Sequence, residues 1–303
     1  MTARSGRPWL ILLPLLLLIL VGFLWSAYWF VAIELAKDRF ARERNSLKDR
    51  GLSLSCNAES WGGFPFRFEF ACSAPAVRVE ERFELRSANL LAVALAYNPW
   101  QVVILLDGPT TISGVTPLPA SAEHKRAIAS VTIGKDNRPS VAVDLPDLKI
   151  VGFLAADRVR FDSRPSGDGR EEIAASIDGL NFQPDGRPEL RIERSGLRGF
   201  LAGQRTFTVD NVTLSQGTVR YWGKGEVQLD AVNRIAGKLS TKTNDLDGLM
   251  AILEPHLDMT ADQVSNLRTM LGLLGNESKA DITASDGQLY IGPFKIADLL
   301  PLY

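Results

Sequence analysis

From Trp9 to Ile33 the chain carries no charged residue. At 1.5 Å per residue this run makes a helix about 37 Å long, more than the ~30 Å hydrocarbon core of a bilayer requires. It predicts a single transmembrane anchor over residues 9–33. Pro14 falls in its first half, where lipid-embedded helices tolerate proline, and Trp25, Tyr28, Trp29 and Phe30 cluster at its far end as an interfacial belt does. A cleaved signal peptide would need a shorter apolar run and a small-residue cleavage site, and large aromatics occupy that place. Residues 34–50 continue helically but are rich in charge, with only Leu35, Phe40 and Leu47 on an apolar stripe; they predict a stalk helix leaving the membrane.

After Gly51 the period changes to two. Leu52, Leu54, Cys56 and Ala58 alternate with Ser53, Ser55, Asn57 and Glu59; Phe64, Phe66, Phe68, Phe70 and Cys72 share one parity against Arg67 and Glu69. Gly62-Gly63 between them supplies a reversal, which predicts two neighbouring antiparallel strands with both cysteines inward. Phe83 to Tyr97 and Val102 to Leu106 form further apolar segments, broken at Asn98-Pro99. Short alternating segments continue to Leu229, punctuated by turns at Asp107-Gly108-Pro109, Thr116-Pro117-Leu118-Pro119, Asp136-Asn137, Ser166-Gly167-Asp168-Gly169 and Asp185-Gly186. They predict an antiparallel meander with one buried and one polar face.

Residues 245–275 return to helical spacing. Leu246, Leu249, Met250 and Leu253 form a short helix ending near Pro255; Thr260 and Gln263 form a capping box before a stripe of Val264, Leu267, Leu271 and Leu274, stopped at Gly275. This helical pair is expected to cover one face or end of the sheet. A hairpin around Asp286-Gly287 then leads to an apolar terminus at Leu299, Leu300 and Tyr303, expected to dock. The fold class expected is therefore mainly β with α additions: an N-terminal transmembrane helix, a large curved antiparallel β-sheet domain and a helical pair. Its divisions are a cytoplasmic segment 1–8, the anchor 9–33, the stalk 34–50 and a β-rich domain 51–303.

Charge and cysteine usage then narrow the setting. The net charge is -1, with no basic tail or stripe and no zinc-finger spacing, which speaks against a nucleic-acid partner. A bridge between Cys56 and Cys72, the two cysteines of the chain, would close a loop of about 17 residues and contribute roughly 3 kcal/mol, persisting only in an oxidising space. Two reduced core cysteines are the alternative. Lys37, Arg39, Arg42 and Arg44 after the anchor outnumber Arg4 and Arg7 before it, which by the Lys/Arg count would hold the body in the cytoplasm. The cysteine pair outweighs that count, so the expected location is the bacterial inner membrane, single-pass, with the main domain in the periplasm.

The chemistry expected is noncatalytic. His124 and His256 belong to no metal-binding pattern, no GxSxG elbow is present, and Gly223-Lys224-Gly225 lacks the rest of a phosphate loop. Asp107, Asp168, Asp185 and Asp286 precede glycines at turns. No catalytic residue, metal site or cofactor is expected.

The anchor, the charged helix, the WGGFPFRFEFAC segment after the first cysteine and the C-terminal DGQLYIGPFKIADLLPLY together resemble an alphaproteobacterial family of membrane-anchored envelope proteins of unknown function, DUF2125-like. More loosely, the chain resembles the AsmA-like β-rich envelope proteins, a resemblance that implies a curved sheet sheltering lipid. The expected function is membrane-tethered binding of a lipid or other apolar ligand, with phospholipid, fatty acid or a lipid A precursor as candidates and Phe64, Phe66, Phe68 and Phe70 as the ligand wall. Such binding could assist envelope lipid transport or homeostasis. The alternative is a structural or assembly protein that binds an envelope protein partner.

Overall fold

The computed structural model describes residues 9–80, 83–114, 121–134, 136–183, 188–203, 205–256, 260–272 and 279–299. Residues 1–8, the turns at Thr116-Pro117-Leu118-Pro119 and Asp185-Gly186, Leu274, Gly275, Leu300 and Tyr303 lie outside the described residues, as does the side chain of Leu271.

Anchor and stalk are one continuous helix, α1 (Trp9–Asp49), with Pro14 inside it. It is long and apolar enough to cross a membrane over its first half, and the residues from Leu12 to Leu24 are exposed. The chain leaves it through Gly51, whose φ of +82° suits glycine.

The strands that follow come first as broken runs. These are β1 (Leu52–Ser55) and β2 (Ala58–Gly62); β3 (Arg67–Ser73) and β4 (Ala76–Val79); β5 (Phe83–Arg86) and β6 (Asn89–Leu95); β7 (Asn98–Asp107) and β8 (Thr110–Ser113); and β9 (Ser121–Glu123) and β10 (Ala127–Ile133). One half of each run builds the arm β2-β3-β6-β7-β10. The other half builds β1-β4-β5-β8-β9. Both arms meet on β11 (Pro139–Ile150), the first through β10 and the second through β9. Unbroken strands then succeed one another in chain order: β12 (Leu154–Pro165), β13 (Glu171–Phe182), β14 (Leu190–Ala202), β15 (Thr206–Gln216), β16 (Val219–Leu229) and β17 (Ile235–Thr243). After the helices α2 (Leu246–Leu253) and α3 (Ala261–Gly272), the ladder finishes with β18 (Lys279–Ser285), β19 (Gln288–Ile291) and β20 (Phe294–Asp298).

All these pairings are antiparallel, as the alternation predicts. The expected curved sheet is not what forms: helix and sheet are mixed in one architecture, and the sheet is neither curved nor closed. Its pairings run along the chain and stop at free edges, β1 and β2 on one side and β20 on the other. Alternation assigns a residue to a face, whereas curvature has to be built by bulges and glycine kinks repeated across many strands. Among the described ladders the register shifts are isolated, at Ala94/Leu95, Arg198/Gly199, Val209/Val212 and Leu289/Tyr290.

A polar seam separates the two arms. Ser87 donates its hydroxyl to the Asp107 carbonyl at 2.6 Å and lies 3.0 Å from the Thr110 hydroxyl, which in turn lies 2.8 Å from Nε2 of His124. Arg126 donates to the Asp107 carboxylate at 2.6 Å and holds it below the usual carboxylate range. A side chain on Gly108 would strike the His124 carbonyl, so the close approach of these strands requires glycine there. The seam also corrects the face assignment upstream. Cys56 and Asn57 fall outside the strands, and the offset turns the chain over, so Glu59 and Trp61, not Ala58, lie beside Cys72 and Phe70.

The helical pair forms as expected. Thr260 and Gln263 exchange their capping hydrogen bonds at 2.8 and 3.3 Å, and Met250, Val264 and Leu267 are buried against Ala280, Ile291 and Phe294. Leu271 contributes to the stripe only by its position in α3.

Candidate functional site

Two helical elements cover the apolar face of the sheet, one at each side. On the first side, the end of the transmembrane run docks on the aromatic segment. Trp25 Nε1 donates to the Pro65 carbonyl, Tyr28 Oη to the Ala96 carbonyl and Trp29 Nε1 to the Arg67 carbonyl, each at 2.8 Å. Trp29 stacks on Phe68 with centroids 5.9 Å apart and meets Phe64 edge-on at 5.3 Å. Trp29, Ile33 and Ala96 are buried together. About two helical turns beyond Ile33, Phe40 packs on Phe70 at 4.7 Å and on Trp61 at 5.6 Å. Arg44 then pairs with Glu59 at 2.5 Å and lies over the Phe40 ring.

The four phenylalanines expected to form one wall divide into two environments. Phe68 and Phe70 are in β3, beneath α1, with Phe70 buried. Phe64 and Phe66 are in the turn that closes β2 onto β3, not in the strand, and stand 52% and 61% exposed beside the anchor. The turn takes the Gly63 conformation at φ +99°, closed by the Arg67 amide donating to the Gly63 carbonyl at 2.9 Å. Cys56 and Cys72 are joined by a disulfide at a Cα separation of 5.4 Å, which ties the seam to the strand beneath α1.

The same face continues far beyond the helix. Residues directly opposite in an antiparallel pair point to one side, and the registers carry Phe70 to Ala92, Ile104, Ala129, Val143 and Phe161 in successive strands. From Phe161 the line passes to Ala175, Leu197 and Val212. The neighbouring lines are apolar in part: Val131 and Val141 lead to Ser163, and Leu145, Val159 and Ile177 lead to Ser195. In ordinary cores such side chains disappear from solvent. Here Val141, Val143, Leu145, Val159, Ile173, Ile177 and Leu197 are half-exposed, and Phe161 is 37% exposed. The opposite face has the reverse chemistry: Arg158 pairs with Asp144 at 2.8 Å, Arg194 with Asp178 at 3.2 Å and Lys238 with Asp281 at 2.6 Å. Lys238 and Ser240 lower the Asp281 pKa.

On the far side, α2 roofs the face over β15 to β18. A cavity of about 230 Å³ remains under it, lined by Leu214, Tyr221, Leu246, Leu249, Met250 and Ile282. Burial raises the Tyr221 phenol above its ordinary range. The small residues Gly223, Gly225 and Gly237 let the backbones approach in this region; a side chain on Gly225 would strike the Lys238 carbonyl.

The arrangement offers a broad apolar surface, open between two helical covers, on which Ser163 donates its hydroxyl to the Glu171 carboxylate. His124 is engaged in the seam by Thr110 and by the Lys125 carbonyl at 2.6 Å, and among the described residues no group of His, Cys, Asp and Glu is disposed to hold a metal ion. Sequence reasoning located the aromatic segment and the alternation but missed Tyr97 and Trp100, which flank the Asn98-Pro99 step taken as a break. The reversal is one step earlier, at Ala96-Tyr97, and Pro99 sits at the start of β7 where its missing N–H is tolerated.

A family model described as "Uncharacterized protein conserved in bacteria (DUF2125)" matches residues 29–299, from the ring buried on Phe68 to the end of the ladder. No curated protein matches the chain, and no solved structure does.

Proposed function

The chain belongs to the bacterial DUF2125 family, and on that premise we propose that it is a membrane-tethered, noncatalytic protein whose open sheet face holds the acyl chains of lipid in the periplasm. One observation carries the reading: an apolar face begins under the membrane helix at Phe68 and Phe70, passes without a charged side chain along the line to Val212, and is left half-exposed between α1 and α2. Contiguous apolar surface of this extent is a binding surface in a folded protein. Acyl chains match it because they ask for no hydrogen-bond partner, and the strands of the face end beside the helix that stands in the bilayer. Phe68 and Phe70 serve as the floor for α1, while Phe64 and Phe66 remain open to contact lipid. Assistance to envelope lipid transport or homeostasis would follow from such a surface.

The test places a photoreactive benzoylphenylalanine in the full chain at Val143, on the apolar face, or at Ala142, on the other, and irradiates living cells. The reading expects adducts of phospholipid, fatty acid or a lipid A precursor at position 143 and none at 142. Adducts at 143 formed with an envelope protein alone would replace the lipid reading by a partner-binding one. Equal lipid labelling at both positions would overturn it.

A further inference from the structure

We infer that the anchor-side end of the sheet is itself seated in the membrane interface, with the glycerol region and upper acyl chains of phospholipid as the partner of Phe64, Phe66, Tyr97 and Trp100. The length of the helix before its first contact with the sheet sets the depth. Trp25 already donates to Pro65, and Tyr28 and Trp29 to Ala96 and Arg67. The apolar run before Trp25, from Trp9 to Leu24, is about 24 Å of helix, short of the ~30 Å of hydrocarbon. The turns that hold these three rings therefore lie at the boundary of the hydrocarbon and not above it, and any tilt of the helix brings them deeper.

The distribution of exposed apolar side chains agrees. By the antiparallel order, the turns 63–66, 96–97 and 230–234 and the end of β10 all lie at the same end of the sheet. Phe64, Phe66, Tyr97, Trp100, Ile133, Val232 and Ile235 are exposed there. At the opposite strand ends the exposed large apolar side chains among the described residues are Val151 and, at the start of β10, Ile128. A domain held clear of the bilayer has no reason for this asymmetry. Tyr97 and Trp100 are 69% and 61% exposed, and rings with an apolar body and a polar atom are the side chains that settle at the headgroup level. Trp100 stands two residues before Val102 in β7, beside the register shift at which Leu95 meets Asn98, so the seated rim adjoins the apolar face. The inference rests on the docking of α1 and deepens the lipid reading by supplying a water-free entry to the face.

The full chain, with its disulfide intact, is given one additional cysteine, Tyr97→Cys or Val151→Cys, and labelled with an environment-sensitive nitrobenzoxadiazole. Each form is placed in phosphatidylcholine nanodiscs containing lipid with a nitroxide high on the acyl chain. Position 97 should lose at least half its fluorescence to the nitroxide, and position 151 less than a tenth. Equal quenching at both positions, or none at 97, would overturn the inference, as would shielding of 97 that appears only when two chains share a disc. Lipid adducts at position 143 without quenching at 97 would reject the seated rim and leave the lipid-holding face standing; quenching at 97 without such adducts would do the reverse.

Discussion

Replacing Trp29 by alanine tests the joint between membrane helix and sheet. The ring is 5% exposed, stacks on Phe68, meets Phe30 and Phe64 edge-on and donates to the Arg67 carbonyl. Truncation of a buried tryptophan costs about 3–5 kcal/mol in a water-surrounded core. At this site the lower end applies, because lipid can fill part of the space and shield the uncovered phenylalanines. The lost hydrogen bond accounts for about 1 kcal/mol of the total. About 3 kcal/mol corresponds to a fall in melting temperature of roughly 6–12 °C for a domain of this size. The assay is thermal unfolding of the full chain in nanodiscs, followed by far-ultraviolet circular dichroism. Trp29→Phe should recover most of the loss, since it restores the ring. Val31→Ala, at a position 62% exposed on the same helix, should shift the midpoint by less than about 2 °C. A Trp29→Ala midpoint indistinguishable from that of Val31→Ala would refute the argument that α1 is part of the folded unit.

Cys72→Ser should destabilise the protein by about 3 kcal/mol, as expected for a bridge between residues 16 apart, and nonreducing peptide mapping of thiol-blocked wild-type protein should recover Cys56 linked to Cys72. Asp107, Asp168 and Asp281 have pKa values lowered by Arg126, Arg170 and Lys238, that of Asp168 to about 2. Their stabilisation is present above the unfolded carboxylate pKa of about 3.9 and is lost as pH falls through the lowered folded values, so Asp107→Asn should flatten the stability-versus-pH profile below about pH 4 while leaving its neutral limb sloping as before. Reporter fusions at residues 45 and 240 should both be active only in the export compartment; activity of both in the cytoplasm would remove the periplasmic placement.

Elements whose signal is local were readable from the chain by itself. A charge-free run of 25 residues has one economical environment, and the capping box at Thr260 and Gln263 closes on its own neighbours. The strand alternation likewise needs only nearest residues; the two cysteines are bridged as the sequence suggests, although Cys56 lies between strands and the parity that relates it to Cys72 is broken there. What the alternation could not say is how much of the inward face is covered. Each strand needs an apolar side whether that side meets a helix, a second sheet or a lipid, so the pattern at Val141, Val143 and Leu145 is the same in all three cases. Only the assembled chain shows α1 reaching no further than the first strands and α2 lying over the last ones. The aromatic segment was misread for a related reason: four phenylalanines at spacing two look like one strand face, but Gly63 and Pro65 put Phe64 and Phe66 into a turn whose place is set by hydrogen bonds from Trp25 and Trp29, some forty residues earlier. The seam at Cys56, Ser87 and Gly108 reversed the face of Glu59 by one residue's offset. Curvature and cover arise from contacts between distant parts of the chain, and a pattern of period two contains no term for either.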